Sequence, residues 1–207
     1  MFATNNSNPD VLSILIKNGA NVNAVNVDGF TPLMRAAQYS SNTEVLRLLI
    51  ENGADVNAIA RIENGAGEDA LSQNGWTPLM VAALHNSNPE VLQLLIEKGA
   101  DVNAISQNGW TPLMAAVMHN ANPEVLRLLI EKGADVNAIS QDGWTPLMVA
   151  VGSDSMFEIL QILVDNGADV GVKDKEGRSA LDYAEWNEKI KGTGAYYFLL
   201  KTLSEEK

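Results

Sequence analysis

Thr-Pro-Leu-Met recurs at Thr31 to Met34, Thr77 to Met80, Thr111 to Met114 and Thr145 to Met148, with a degenerate copy at Ser179-Ala180-Leu181-Asp182. Three of the intervals between copies are 34 residues and one is 46. A fixed period of this size constrains the fold more tightly than composition does. Each period is one supersecondary unit that cannot bury its apolar face alone, so units stack in line and the core grows along one axis. The 12 extra residues in the long interval align at Arg61 to Ser72.

Within a unit, Thr77 followed by Pro78 predicts a helix start. The hydroxyl can accept from an orphan backbone N–H, and proline has no N–H to lose. Ala82 and Ala83 lack the bulk to hold a neighbouring helix away, so first helices can approach to about 8–10 Å. Asn88-Pro89-Glu90 predicts a second helix start by the same device, with an acid near the positive end of the dipole. Val91, Leu94 and Leu95 then share one face, and Gly99 ends the helix. Ala100 to Ala104 and the turn Asn108-Gly109 lead out and back to the next Thr-Pro, which predicts a β-hairpin finger.

These features together resemble the ankyrin repeat: Thr-Pro-Leu, the paired alanines, the Leu-Leu run, Gly-Ala-Asp-Val-Asn-Ala and the Asn/Asp-Gly turn. The core segment returns at Gly19 to Asn23, Gly53 to Asn57, Gly99 to Asn103, Gly133 to Asn137 and Gly167 to Gly171. Met34, Met80, Met114 and Met148 stand where the family commonly has His, and the unit is one residue longer than the usual 33. The resemblance implies an all-α ankyrin-repeat solenoid of stacked helix-turn-helix units with β-hairpin fingers, about five and a half repeats long. The units divide as a truncated N-terminal repeat at 1–30, a repeat with the finger insertion at 31–76, regular repeats at 77–110, 111–144 and 145–178, and a C-terminal capping repeat at 179–207. Units 77–110 and 111–144 differ at only six of 34 positions, so a consensus-like scaffold or spacer without a native ligand stands as the alternative to a binding module.

Charge narrows the partners. Fourteen Lys plus Arg against 26 Asp plus Glu give a formal net charge of −12, which repels nucleic-acid backbones and anionic membrane surfaces and favours a basic protein. The absence of cysteine excludes disulfides, thiolate metal sites and a cysteine nucleophile. No run approaches the roughly 18 apolar residues of a membrane span, and the start lacks a signal-peptide pattern, so a cytoplasmic location is the default expectation. The chain is expected to be a monomer without cofactor, metal or catalytic residues: no nucleophile-base-orienter set and no phosphate-binding loop is present. The repeated acids, such as Asp101 and Asp135, fall at turns where a structural role suffices.

The family resemblance implies recognition of another protein on the concave face made by fingers and first helices. Applied position by position, the residue between the turn glycine and Thr-Pro is Phe30, Trp76, Trp110, Trp144 and then Arg178. This aromatic row would serve either as a contact surface or as packing between fingers. Gln107 and Gln141 sit beside it on the finger tips. A second row ends the first helices: Gln38-Tyr39, Leu84-His85, Met118-His119 and Gly152-Ser153. His85 and His119 are equivalent positions in adjacent repeats, and two imidazoles without cysteine make exposed contact residues rather than a zinc site. The insertion offers Arg61, Ile62, Glu63, Glu68, Asp69 and Leu71, on a loop that is either a contact element or a tolerated extension.

Overall fold

A computed structural model describes residues 8–60, 75–119, 122–153 and 157–205. Eleven helices run through them, α1 to α11: Pro9–Lys17, Pro32–Tyr39, Thr43–Glu51, Pro78–His85, Pro89–Glu97, Pro112–His119, Pro123–Glu131, Pro146–Gly152, Phe157–Asp165, Ala180–Trp186 and Gly194–Glu205. First helices stack on first helices (α2, α4, α6, α8, α10), and second helices stack on second helices (α1, α3, α5, α7, α9, α11). Two parallel columns of helices result.

The starts are capped as the local chemistry requires. Thr31, Thr77 and Thr145 accept from the backbone N–H three residues on, and Asn8, Asn42, Asn88 and Asn122 accept from the residue two on. Met34, in the position where the family has His, supplies a sulfur acceptor 3.5 Å from the Thr31 N–H. Between the columns lies a continuous core. Ala36, Ala37, Ala82, Ala83, Ala115 and Ala116 are fully buried at the first-helix contacts, and Leu46, Leu49, Leu92, Leu95, Leu126 and Leu129 fill the space beneath. The closing helix α11 buries Ala195 and Leu199.

The fingers differ from the expected β-hairpins. Among the described residues there is no strand. The fingers that begin at Asn26, Ser106, Ser140 and Asp174 are each a single closed turn. Ser106 N–H donates to the Trp110 carbonyl at 2.9 Å, Gly109 N–H donates back to the Ser106 carbonyl at 3.0 Å, and the Ser106 hydroxyl accepts from Trp110 N–H at 3.0 Å. Asn26, Ser140 and Asp174 repeat this arrangement. With the short loop tied by a side chain as well as by backbone, no residues remain for a ladder. Fingers meet through backbone: Gln141 N–H donates to the Asn108 carbonyl at 3.0 Å. A Cβ on Gly109 would stand 2.6 Å from the Gln141 nitrogen, and its φ of +78° lies in the left-handed region, so both the approach and the turn demand glycine there.

A second tie runs from repeat to repeat. The Asn103 carboxamide donates to the Gly133 carbonyl at 2.9 Å and accepts from Asp135 N–H at 2.9 Å. Asn23, Asn57 and Asn137 make the same pair of bonds to the following unit. The acids of the same segment hold its turn: Asp101 and Asp135 each accept from the backbone N–H two residues on. At the next equivalent position stands Gly171, so the ladder ends where the capping unit begins.

Candidate functional site

The fingers and the ends of the first helices carry two rows of side chains with the same period and opposite fates. Phe30, Trp76 and Trp110 are 5%, 1% and 7% exposed and belong to the core. Trp144 is half-buried. The expectation of an exposed aromatic row therefore gives way to the packing reading set beside it: a ring held between its own closed turn and the next threonine cap is covered on both sides by the stack. Gln107 and Gln141 are exposed on the finger tips, and Gln141 donates across to the Gln107 carbonyl at 2.6 Å.

The helix-end row stands at the surface. Tyr39 is 57% exposed, His85 and His119 are exposed, Met118 and Gln38 are half-buried, and Leu84 alone is buried at 5%. Each of these residues falls in the last turn of a first helix, beyond the reach of the second-helix column. Partial burial of its ring, and secondly the neighbouring His119, lower the His85 pKa below the ordinary histidine value. His85 thus favours the neutral imidazole, with one donor and one acceptor nitrogen to offer a partner. Among the described residues no group of three His, Cys, Asp or Glu is placed to hold a metal, and no helix is long and apolar enough to cross a membrane. Arg61, Ile62, Glu63, Glu68, Asp69 and Leu71 lie outside the described residues. The base of their loop is pinned where Ala60 N–H donates to the Trp76 carbonyl and Gly75 N–H to the Ala60 carbonyl, both at 2.8 Å.

The two ends of the row carry charged pairs over rings. At one end the Arg35 guanidinium lies 4.7 Å from the Phe30 ring centre, 2.6 Å from the Asp28 carboxylate and 3.0 Å from Gln38 Oε1. At the other, Arg178 lies 5.1 Å over the Tyr183 ring and pairs with Asp174 at 3.0 Å and with Glu176. The Tyr183 hydroxyl also donates to Asp174. Burial alone would raise the Asp174 pKa, but the bonds from Tyr183 and Arg178 outweigh it and hold the carboxyl at about 2. Burial, together with the same bond to Asp174, pushes Tyr183 up to about 12.

Sequence reasoning missed Arg35, Tyr183 and Trp186. Tyr183 packs on Trp144 at 4.9 Å between ring centres and meets Trp186 edge-on at 6.0 Å. Trp186, 63% exposed, is the largest exposed ring on this side. The signal was available: Trp186 lies 34 residues after Gly152, so the helix-end row extended by one period ends on it.

Paired helices stacked in two columns, tied by a polar ladder and presenting the ends of one column, define a repeat solenoid. The chain belongs to the ankyrin-repeat family: the family description, ankyrin repeats in three copies, matches residues 1–60, 59–140 and 117–201. Members of this family generally act as protein–protein interaction modules and are typically non-enzymatic. No curated protein is similar enough to the chain to report as a relative.

Proposed function

We propose that the chain binds a partner protein along the row of first-helix ends, through Tyr39, Gln38, His85, Met118, His119 and Trp186, and that it does so without catalysing a reaction. The observation that carries this reading is the contrast in exposure: the finger aromatics are consumed by packing, whereas the helix ends keep mixed aromatic, imidazole and amide chemistry at the surface. Aromatic and polar side chains on a rigid support suit a specific interface, because little entropy is lost when they are covered. The net charge of −12 supports a basic partner. The reading extends to the whole chain as a monomeric single array of about five and a half repeats, with residues of the 61–72 insertion as further contacts to the same partner. A second reading, a spacer without a native ligand, draws support from the burial of Phe30, Trp76 and Trp110; the exposed row at Tyr39, His85, His119 and Trp186 weighs against it.

The test is site-specific photocrosslinking in source cells, with the reactive group at Tyr39 or His119 on one side and at the exposed Glu97 or Glu131 of the second helices on the other. A discrete adduct from the first pair and none from the second supports the proposal. Adducts only from the second pair move the interface to the other column, and none from either leaves the spacer reading in possession.

A further inference from the structure

Along the proposed binding face, a guanidinium twice lies over an aromatic ring with a carboxylate beside it. Arg35 covers Phe30 with Asp28 beside it, and Arg178 covers Tyr183 with Asp174 and Glu176 beside it. In each case a guanidinium lies between an aromatic face and a carboxylate. A cation over a ring gains from the ring quadrupole, and the carboxylate adds a charge-assisted hydrogen bond.

Trp186 has the ring and the carboxylate without the cation. It forms one wall of an open groove of about 480 Å³, shared with Tyr183, Gly152 and Glu188. Gly152 makes the space: a side chain there would start 3.3 Å from the Trp144 ring, and the equivalent residues in the preceding repeats are Leu84 and Met118. Asn187 fixes the walls, its carboxamide donating to the Val151 carbonyl at 2.9 Å and accepting from Lys189 N–H at 3.0 Å. Tyr183 meets Trp186 edge-on at 80°, so the indole is supported from one side and leaves a face open. Among the described residues no guanidinium or ammonium lies over Trp186, and Glu188 makes no ion pair.

We propose that this groove takes an arginine side chain of the partner protein, its guanidinium laid on Trp186 and paired with Glu188. The proposal rests on the protein-binding reading and sharpens it to one residue type at one place. Arginine is preferred over lysine because a flat guanidinium can stack on an aromatic ring and bond a carboxylate in the same pose, as Arg35 does on Phe30 and Arg178 on Tyr183.

The probe is a blocked tripeptide, acetyl-Gly-Arg-Gly-amide, titrated into the full-length chain while the indole N–H signal of Trp186 is followed by NMR and assigned with Trp186→Phe. A saturable shift is expected. Binding should weaken about fivefold in Glu188→Gln, in line with loss of one exposed charge-assisted contact. The norleucine tripeptide should leave the signal in place. Glu188 is exposed, so its variant keeps the fold, which thermal melting verifies. No shift up to tens of millimolar arginine peptide, an equal shift with norleucine, or a titration unchanged by Glu188→Gln each overturns the proposal. The two readings fail separately: crosslinks from Tyr39 and His119 without arginine binding remove only the groove assignment, and arginine binding without crosslinks removes only the wider interface.

Discussion

The finger row and the helix-end row are written in the sequence with one period, yet Trp110 is 7% exposed and Tyr39 57%. Periodicity states that a position is repeated; which way it points depends on what stands beside it. A finger ring lies between a turn closed on Ser106 and a threonine cap that is itself buried, so each unit covers the ring of the last. A helix-end residue has its own column above and below it and solvent beyond. A large aromatic at a repeated position therefore reads as packing unless the helix geometry leaves it without a neighbour.

The contrast can be broken from the inside first. Trp76→Ala removes the most deeply buried ring of the row and should cost about 3–5 kcal/mol in chemical denaturation; a loss below about 1 kcal/mol would mean that the finger is loose. Gly109→Ala should cost about 3 kcal/mol, because the added methyl meets the Gln141 backbone and the φ is left-handed. Gly133→Ala is the control: its φ is +91° but nothing lies within 4 Å, so only the backbone cost of about 1 kcal/mol is expected. Asn103→Ala cuts the ladder at two bonds whose partners can turn to water, and should cost about 1 kcal/mol.

Acid titration examines the capping end. The Asp174 carboxyl is held at about 2, below the ordinary 3.8, so its folded form favours the ionised state. Its stabilisation is complete above about pH 4 and lost as pH falls through about 2. Stability of Asp174→Asn should therefore lie below that of the parent chain at pH 5, and the gap should close toward pH 2. The smallest effects belong to the outer row. His85→Ala and His119→Ala should change stability by less than about 0.5 kcal/mol while weakening partner binding, since exposed side chains contribute little to the fold.

Much of the fold was legible because local signals agreed. Threonine and asparagine caps, the proline at seven of the eleven described helix starts and the paired alanines all name the same helix pair, and the structure places them so. In the fingers the Asn-Gly turn was legible, whereas the bond from Trp110 N–H to the Ser106 hydroxyl was not, and among the described residues no strand flanks the turn. The Asn103 ladder was hidden for a different reason. Its partners lie 30 and 32 residues away, and a repeated asparagine does not announce whether it bonds its own turn or the next. At the surface, the helix-end row was visible but stopped one period short of Trp186, because the capping unit carries Ser179-Ala180 in place of Thr-Pro.

The central claim is that the finger rings are internal and Trp186 is the ring offered to a partner. Acrylamide quenching of single-tryptophan variants, each keeping one of Trp76, Trp110, Trp144 and Trp186 with phenylalanine at the others, measures it directly. Trp186 should be quenched several-fold more steeply than Trp76 and Trp110, with Trp144 between. Equal, steep quenching of Trp76 and Trp110 in folded variants would contradict the claim and return the interface to the fingers.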